Sequence, residues 1–153
     1  MIKAIFIAQQ HKQVLSSVRT ATCSAGLGIW GDRNFGKTKW PGQNITLIEA
    51  EAIEQFNQDY QQNIGWHSTR RNLVTMGISL NHLVGKRFKV GEVELLGVEL
   101  CEPCQLLAKL LANETVSRAQ VMSGFEFSGG LRAQILTDGN IKVGDRFQSL
   151  CLE

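Results

Sequence analysis

Only two prolines, Pro41 and Pro103, occur in the 153 residues, and none follows Pro103. Scarce proline beside 15 glycines suits many tight turns between short strands, which favours a β-rich body. No apolar stretch approaches the roughly 18 residues of a membrane helix. The N-terminus, MIKAIFIAQQHK, has a short apolar run without a small-residue cleavage site, so it reads as a first strand and not as a signal peptide. There is no long basic block either. The formal net charge is +2 from mixed signs, so nothing marks a nucleic-acid footprint, and any anion site must be local. No internal repeat, low-complexity tract or flexible linker is visible.

Cysteine is used sparingly. Cys101 and Cys104 form one close pair, while Cys23 and Cys151 stand alone. With no export signal, that pattern fits a reducing cytoplasm better than a disulfide scaffold. A hydrophobic share of 43% over this length supplies one well-buried core and is too little for two ordinary domains, so residues 1–153 are expected to form one unit.

Strands are predicted over Ile2–Ala8, Asn44–Ile48, Lys86–Val90, Val93–Leu100, Leu131–Leu136 and Asn140–Gln148, most of them bounded by Gly, Asn or Asp. Asp138-Gly139 between the last two is a hairpin signal. Ala52, Ile53 and Phe56 predict a helix over Glu49–Gln61, with acidic residues at its start where the helix dipole favours them. Shorter helices are predicted over Gln105–Leu111 and Thr115–Met122. Phe125 and Phe127 suit either the core or a self-association surface.

The most informative stretch is Cys101-Glu102-Pro103-Cys104, between an apolar run and a predicted helix. A thiol beside the unpaired amides of a helix N-terminus is favoured as thiolate, the form that attacks electrophiles and binds metals. A structural zinc site needs about four ligands, and only one pair is present, with His11, His67 and His82 scattered singly. Cys-Glu-Pro-Cys between strand and helix resembles the thioredoxin dithiol, but that fold also needs a later proline facing the dithiol. Both cysteines could instead be small buried hydrophobes. Cys101 closes the apolar run Val98–Leu100 and suits that role. Pro103 suits the first helical turn, which places Cys104 near free amides as the reactive candidate.

Three further constellations carry polar groups. His67-Ser68-Thr69-Arg70-Arg71-Asn72 suits an oxyanion, because guanidinium groups grip such oxygens through paired hydrogen bonds; as a solvated loop it would need no ligand. Gly31-Asp32-Arg33-Asn34-Phe35-Gly36 is either part of a ligand pocket or a turn in which Asp32 caps local backbone and pairs with Arg33. Ser128-Gly129-Gly130-Leu131-Arg132-Ala133 permits close backbone approach to a ligand, or is an ordinary bulge or turn; Gly144-Asp145 looks like another turn.

Taken together, Gly31-Asp32-Arg33, Arg70-Arg71-Asn72 with Gly77, Pro103-Cys104, Gly129-Gly130-Leu131-Arg132-Ala133 and Gly144-Asp145 occur in the order seen in MOSC domains. From about Val18 to Phe147 the chain resembles a small stand-alone member of that family, the molybdenum cofactor sulfurase C-terminal domains. The resemblance implies a mainly β, barrel-like fold with a few short helices. It implies binding of the molybdenum cofactor (molybdopterin), or handling of sulfur destined for a metal centre. Cys104 matches the family cysteine that ligates molybdenum. Arg70 and Asn72 match residues that contact the pterin and its phosphate, with Arg71 as a helper. Asp32, Arg33 and Arg132 lie in the matching motifs and are taken with them as cofactor contacts.

The soft thiolate chemistry agrees, since one added thiolate completes a sulfur-rich molybdenum site. The family's other role is sulfur carriage, in which the cysteine accepts sulfur from a pyridoxal-phosphate cysteine desulfurase and Cys101 could release it from the persulfide. The pyridoxal phosphate would then sit on that partner, because no lysine here is marked for a Schiff base. Larger relatives carry extra modules for substrate or electron delivery, so the chain resembles the minimal form found with cofactor biosynthesis enzymes. A molybdenum-dependent reductase of N-hydroxylated compounds, or a non-catalytic cofactor carrier, remains open at this point.

Overall fold

The computed structural model describes residues 1–37, 39, 42 and 44–150; Pro41 and Cys151 lie outside the described residues. The larger of two sheets is built from β1 (Ile2–Ile7), β2 (Ser16–Val18), β5 (Ile45–Glu49), β6 (Leu73–Thr75), β7 (Arg87–Val90), β8 (Val93–Leu100), β9 (Leu131–Ile135) and β11 (Phe147–Ser149). These eight strands curl into a half-barrel in the order β11-β7-β8-β9-β5-β6-β1-β2. The smaller sheet is built from β3 (Thr20–Ser24), β4 (Gly28–Ile29) and β10 (Gly139–Lys142), in the order β10-β3-β4. The chain just after β10 is stitched to β1 and to the β2–β3 junction by main-chain bonds from Val143 N to Arg19 O (3.0 Å), Gly144 N to Ile2 O (2.8 Å) and Ile2 N to Asp145 O (2.8 Å).

Among the described residues, all pairings between these strands but one are antiparallel. The exception is β5 with β6, Leu47 opposite Leu73, joined through helix α1 (Ala50–Tyr60) in a β-α-β crossover. These two strands are buried on both faces. Leu47 and Leu73 enter the core inside the curl, with Ile5, Leu95, Leu131 and Ile135. Ile48 and Val74 point the opposite way, into a second core under the helices, with Ile53, Phe56, Leu107, Leu111, Val121 and Phe125. Burial on both sides explains why the short β6 reads as an apolar dipeptide, Leu73-Val74, with no alternation to mark it.

Helix α2 covers Gln105–Leu111, as expected, and α3 covers Arg118–Gly124. The latter starts later than Thr115 because Asn113 Oδ1 accepts from the Thr115 and Val116 amides and holds a turn there. Ser117 and Gln120 then close a capping box.

The Asp138-Gly139 hairpin does not form. β9 stays between β8 and β5, whereas β10 crosses to β3 in the other sheet. Asp138 Oδ1 accepts from Ala25 N at 2.8 Å, which redirects the chain, and Gly139 has φ +152° where a Cβ would press on Glu92 at 2.9 Å. The expected strand Asn140–Gln148 is likewise two strands, parted by a turn in which Asp145 Oδ2 accepts from Lys142 N. The strands β2, β3 and β4 were not expected from the sequence; their short polar and glycine-bearing segments lack a strand-like run.

Candidate functional site

The chain leaves β8 through Cys101, which is buried and whose amide donates to Gly130 O at 2.8 Å. Its carbonyl lies so near Gly129 that a Cβ there would come within 2.1 Å of the oxygen. At Gly130, φ is +109° and a Cβ would come within 2.1 Å of Leu47 O. The paired glycines therefore admit the chain's own backbone from both sides, which is what their close-approach chemistry serves here. Arg71 fastens the same loop, donating from Nε to Gly129 O at 3.0 Å.

Cys104 is the N-cap of α2, with φ −116° and ψ 170°, and its carbonyl accepts from Ala108 N at 3.0 Å. Pro103 thus precedes the cap, a shift from the first-turn place expected for it; the extended conformation of Cys104 delays the first helical residue to Gln105. The Cys104 thiol is free and exposed, whereas the free thiols of Cys101 and Cys23 are buried. Burial pushes the Cys23 thiol up to about 12. Among the described residues Cys104 is the one solvent-accessible thiol.

Asp32 is buried and fully engaged. Its Oδ1 accepts from Ala8 N at 3.1 Å and Arg33 Nη1 at 3.0 Å, and Oδ2 accepts from Asn34 N at 3.3 Å. Arg33 then donates from Nη2 to Arg70 O at 3.0 Å. Arg70 closes the 3-10 turn Trp66–Thr69 in left-handed conformation, φ +61°, and Nη1 donates to Gln13 O at 2.9 Å. Burial, then the nearby Arg33 charge, lower its pKa against the opposing pull of Asp32. Asp32 pairs with Arg33, and among the described residues no carboxylate pairs with Arg70.

Asn72 has no exposed surface. Its Oδ1 accepts from Thr46 N and Thr46 Oγ1, and Nδ2 donates to Phe6 O, which ties β5, the start of β6 and β1 together. A ligand contact would require it to release one of these bonds. Arg132 lies elsewhere, on β9, in a surface pair with Glu99 at 3.4 Å. The structure therefore joins Asp32, Arg33 and Arg70, sends Arg71 to the glycine loop and Asn72 into the core, and leaves Arg132 apart.

Two shallow recesses flank α2. One, of ≈ 280 Å³, is lined by Val14, Leu15, His67, Ser68, Arg70, Leu110 and Leu111. The other, of ≈ 290 Å³ and beside the Cys104 segment, is lined by Glu102, Pro103, Met122, Ser123 and Glu126. Sequence reasoning missed Val14, Leu15 and Leu110, since nothing local links them to Arg70. Thr69, named in the sequence with the oxyanion cluster, has a buried Oγ1 that finds no partner next to Arg70; Asn44, which the sequence marked only as a strand start, has an equally orphaned buried Nδ2. Among the described residues no group of three or more His, Cys, Asp or Glu could hold a metal, and no helix is long and apolar enough to cross a membrane.

The family model for the MOSC domain matches residues 32–148. The chain belongs to the MOSC domain family. Among solved structures, the YuaD protein from Bacillus subtilis superimposes with a TM-score of 0.84 at 16% identity, covering 98% of this chain and 96% of that one. YiiM from Geobacillus stearothermophilus gives 0.72 at 14% identity over 99% of this chain and 76% of the other. YiiM from Escherichia coli gives 0.69 at 14% identity over 100% and 71%. At these identities the likeness establishes the fold. No curated protein matches the chain. MOSC domains as a family are associated with molybdenum cofactor binding.

Proposed function

We propose that this MOSC protein binds the molybdenum cofactor, with Cys104 as the metal ligand and Arg70, His67 and Ser68 as contacts for the cofactor's anionic end. One observation carries the reading: an exposed soft thiol caps one end of α2, while an incompletely compensated cation borders a recess at the other. Seven residues of helix separate these ends by about 10 Å. A group with a soft metal at one end and a phosphate at the other fits such a donor set. Asp32 and Arg33 hold Arg70 in place and do not themselves face the ligand. Arg71 and Asn72 act in the same indirect way, through Gly129 and Thr46. Arg132, paired with Glu99, takes no direct part in this reading.

When bound, the metal supplies redox and sulfur chemistry. The protein's part is to offer one thiolate, to neutralise the phosphate charge and to leave the exposed side of Cys104 open to an incoming molecule.

A second reading, sulfur carriage, is favoured by the exposure of Cys104. The Cys104 thiolate attacks the outer sulfur of a donor persulfide. A new S–S bond forms at Cys104, the donor's S–S bond breaks, and the donor departs as a thiolate. The donor would be a pyridoxal-phosphate cysteine desulfurase or a cofactor biosynthesis enzyme in the same compartment, the cytoplasm.

The deciding experiment is metal and pterin analysis of protein purified from a molybdate-fed host. Loss of molybdenum in Cys104→Ala, with retention in Cys101→Ala, is the expected result. Equal retention in both variants overturns ligation by Cys104. For sulfur carriage, incubation with a cysteine desulfurase and labelled cysteine should add sulfur at Cys104; no adduct there removes the second reading.

A further inference from the structure

The two recesses at the ends of α2 carry opposite charge. Glu102 and Glu126 border the one beside Cys104, and Arg70 and His67 border the other. Between them Leu106 and Leu110 stand 54% and 52% exposed, one turn apart and therefore on one face. Val14, 80% exposed, continues that face into the basic recess. Leu107, Ala108 and Leu111 already anchor α2 to the core, so the exposed leucines are not needed to hold the helix down.

We propose that this face pairs with a second copy of the chain across a two-fold axis near the middle of α2, helix antiparallel to helix. A two-fold axis there reverses the helix direction, so Leu106 of one copy meets Leu110 of the other. The acidic end of each α2 then meets the basic end of its mate, twice over. This is the self-complementarity an isologous interface requires. A parallel approach would set carboxylates against carboxylates and Arg70 against Arg70. The ends lie only about 10 Å apart, so both charge contacts fall within the roughly 800 Å² that each partner of a standard interface buries. A formal net charge of +2 leaves little overall repulsion between copies. Pairing also covers Arg70 and the approach to Cys104, so a ligand of either group competes with the second copy.

Light scattering and sedimentation of the purified full chain test it. The expected result is a concentration-dependent dimer that Leu106→Glu and Leu110→Glu each weaken about tenfold or more, with circular dichroism unchanged. Val84→Glu, at an exposed apolar residue outside α2 and both recesses, should leave the dimer intact. If the leucine variants misfold, Lys109→Cys in a Cys104→Ser, Cys151→Ser background places one exposed thiol near the axis. Oxidation with diamide should then give a covalent dimer. A chain that stays monomeric at every concentration, a dimer indifferent to both leucine changes, or the absence of a cross-link in the Lys109→Cys variant overturns the proposal.

Discussion

Arg33 donates from Nη2 to the main-chain carbonyl of Arg70 at 3.0 Å while its Nη1 holds the buried Asp32 carboxylate at the same distance. Three charged residues from two distant stretches of sequence thereby become one device, in which a neutralised pair fixes the backbone of a third. Arg70 sits in left-handed conformation, φ +61°, which a non-glycine residue adopts only when its surroundings hold it there.

Arg33→Ala should therefore destabilise the fold by about 3 kcal/mol, because it strands a buried carboxylate. It should also lower the affinity for pyrophosphate or another phosphate probe through loss of the Arg70 pose. Thermal denaturation reads the first effect and calorimetric titration the second.

Gly129→Ala should destabilise by about 2 kcal/mol or more, since the new methyl must displace the Cys101 carbonyl. Gly26→Ala is a control for backbone strain alone, because no atom lies within 4 Å of a Cβ at that position. Paired thermal melts separate the two.

Asn72→Ala leaves the Thr46 amide without its side-chain acceptor and should cost about 1–3 kcal/mol. If Asn72 works through the sheet, ligand affinity should fall only as far as folding does. A loss of affinity in fully folded protein would instead assign it a direct contact.

Glu49 caps the start of α1 without donating or accepting a side-chain cap bond, and its pKa is raised by burial first and then by Glu51. A carboxyl whose folded pKa exceeds its unfolded value binds its proton more tightly when folded, so it detracts from stability as pH rises through that window. Glu49→Gln should raise the melting temperature at neutral pH and change it little below about pH 4, where both forms are protonated. A constant offset at every pH would remove the explanation.

A thiol reagent should label Cys104 rapidly in the native protein, and Cys23 and Cys101 only on unfolding, given their burial. Mass spectrometry after brief labelling shows the order, and Cys104→Ser should abolish the fast adduct at that peptide.

The features legible in the sequence are those written locally. The Val93–Leu100 strand and the Gln105–Leu111 helix appear at their expected bounds. The end of the apolar run at Cys101 foretold that Cys101 is buried. The Asp32–Arg33 pair was readable as a turn with its own ion pair, and so it is. What escaped depends on distant partners. Asp138-Gly139 has hairpin chemistry, yet β9 and β10 find better neighbours in separate sheets. Phe125 and Phe127 look alike in sequence, but one is fully buried and the other 67% exposed, because the chain turns through a left-handed residue at Phe127. The recess beside Arg70 joins residues near positions 14, 70 and 110, and no short pattern can announce that meeting.

The glycine loop bears on how Cys104 can work. Cys101 is clamped by its amide on Gly130 and by its carbonyl against Gly129, while Cys104 begins a helix packed on the core. Only Glu102 and Pro103 lie between these anchors, a leash of at most about 3.5 Å per residue, with one of the two stiffened by its ring. The sulfur is thus a fixed point and not a swinging arm: in either role proposed for Cys104, whatever delivers to it, or collects from it, must itself make the journey.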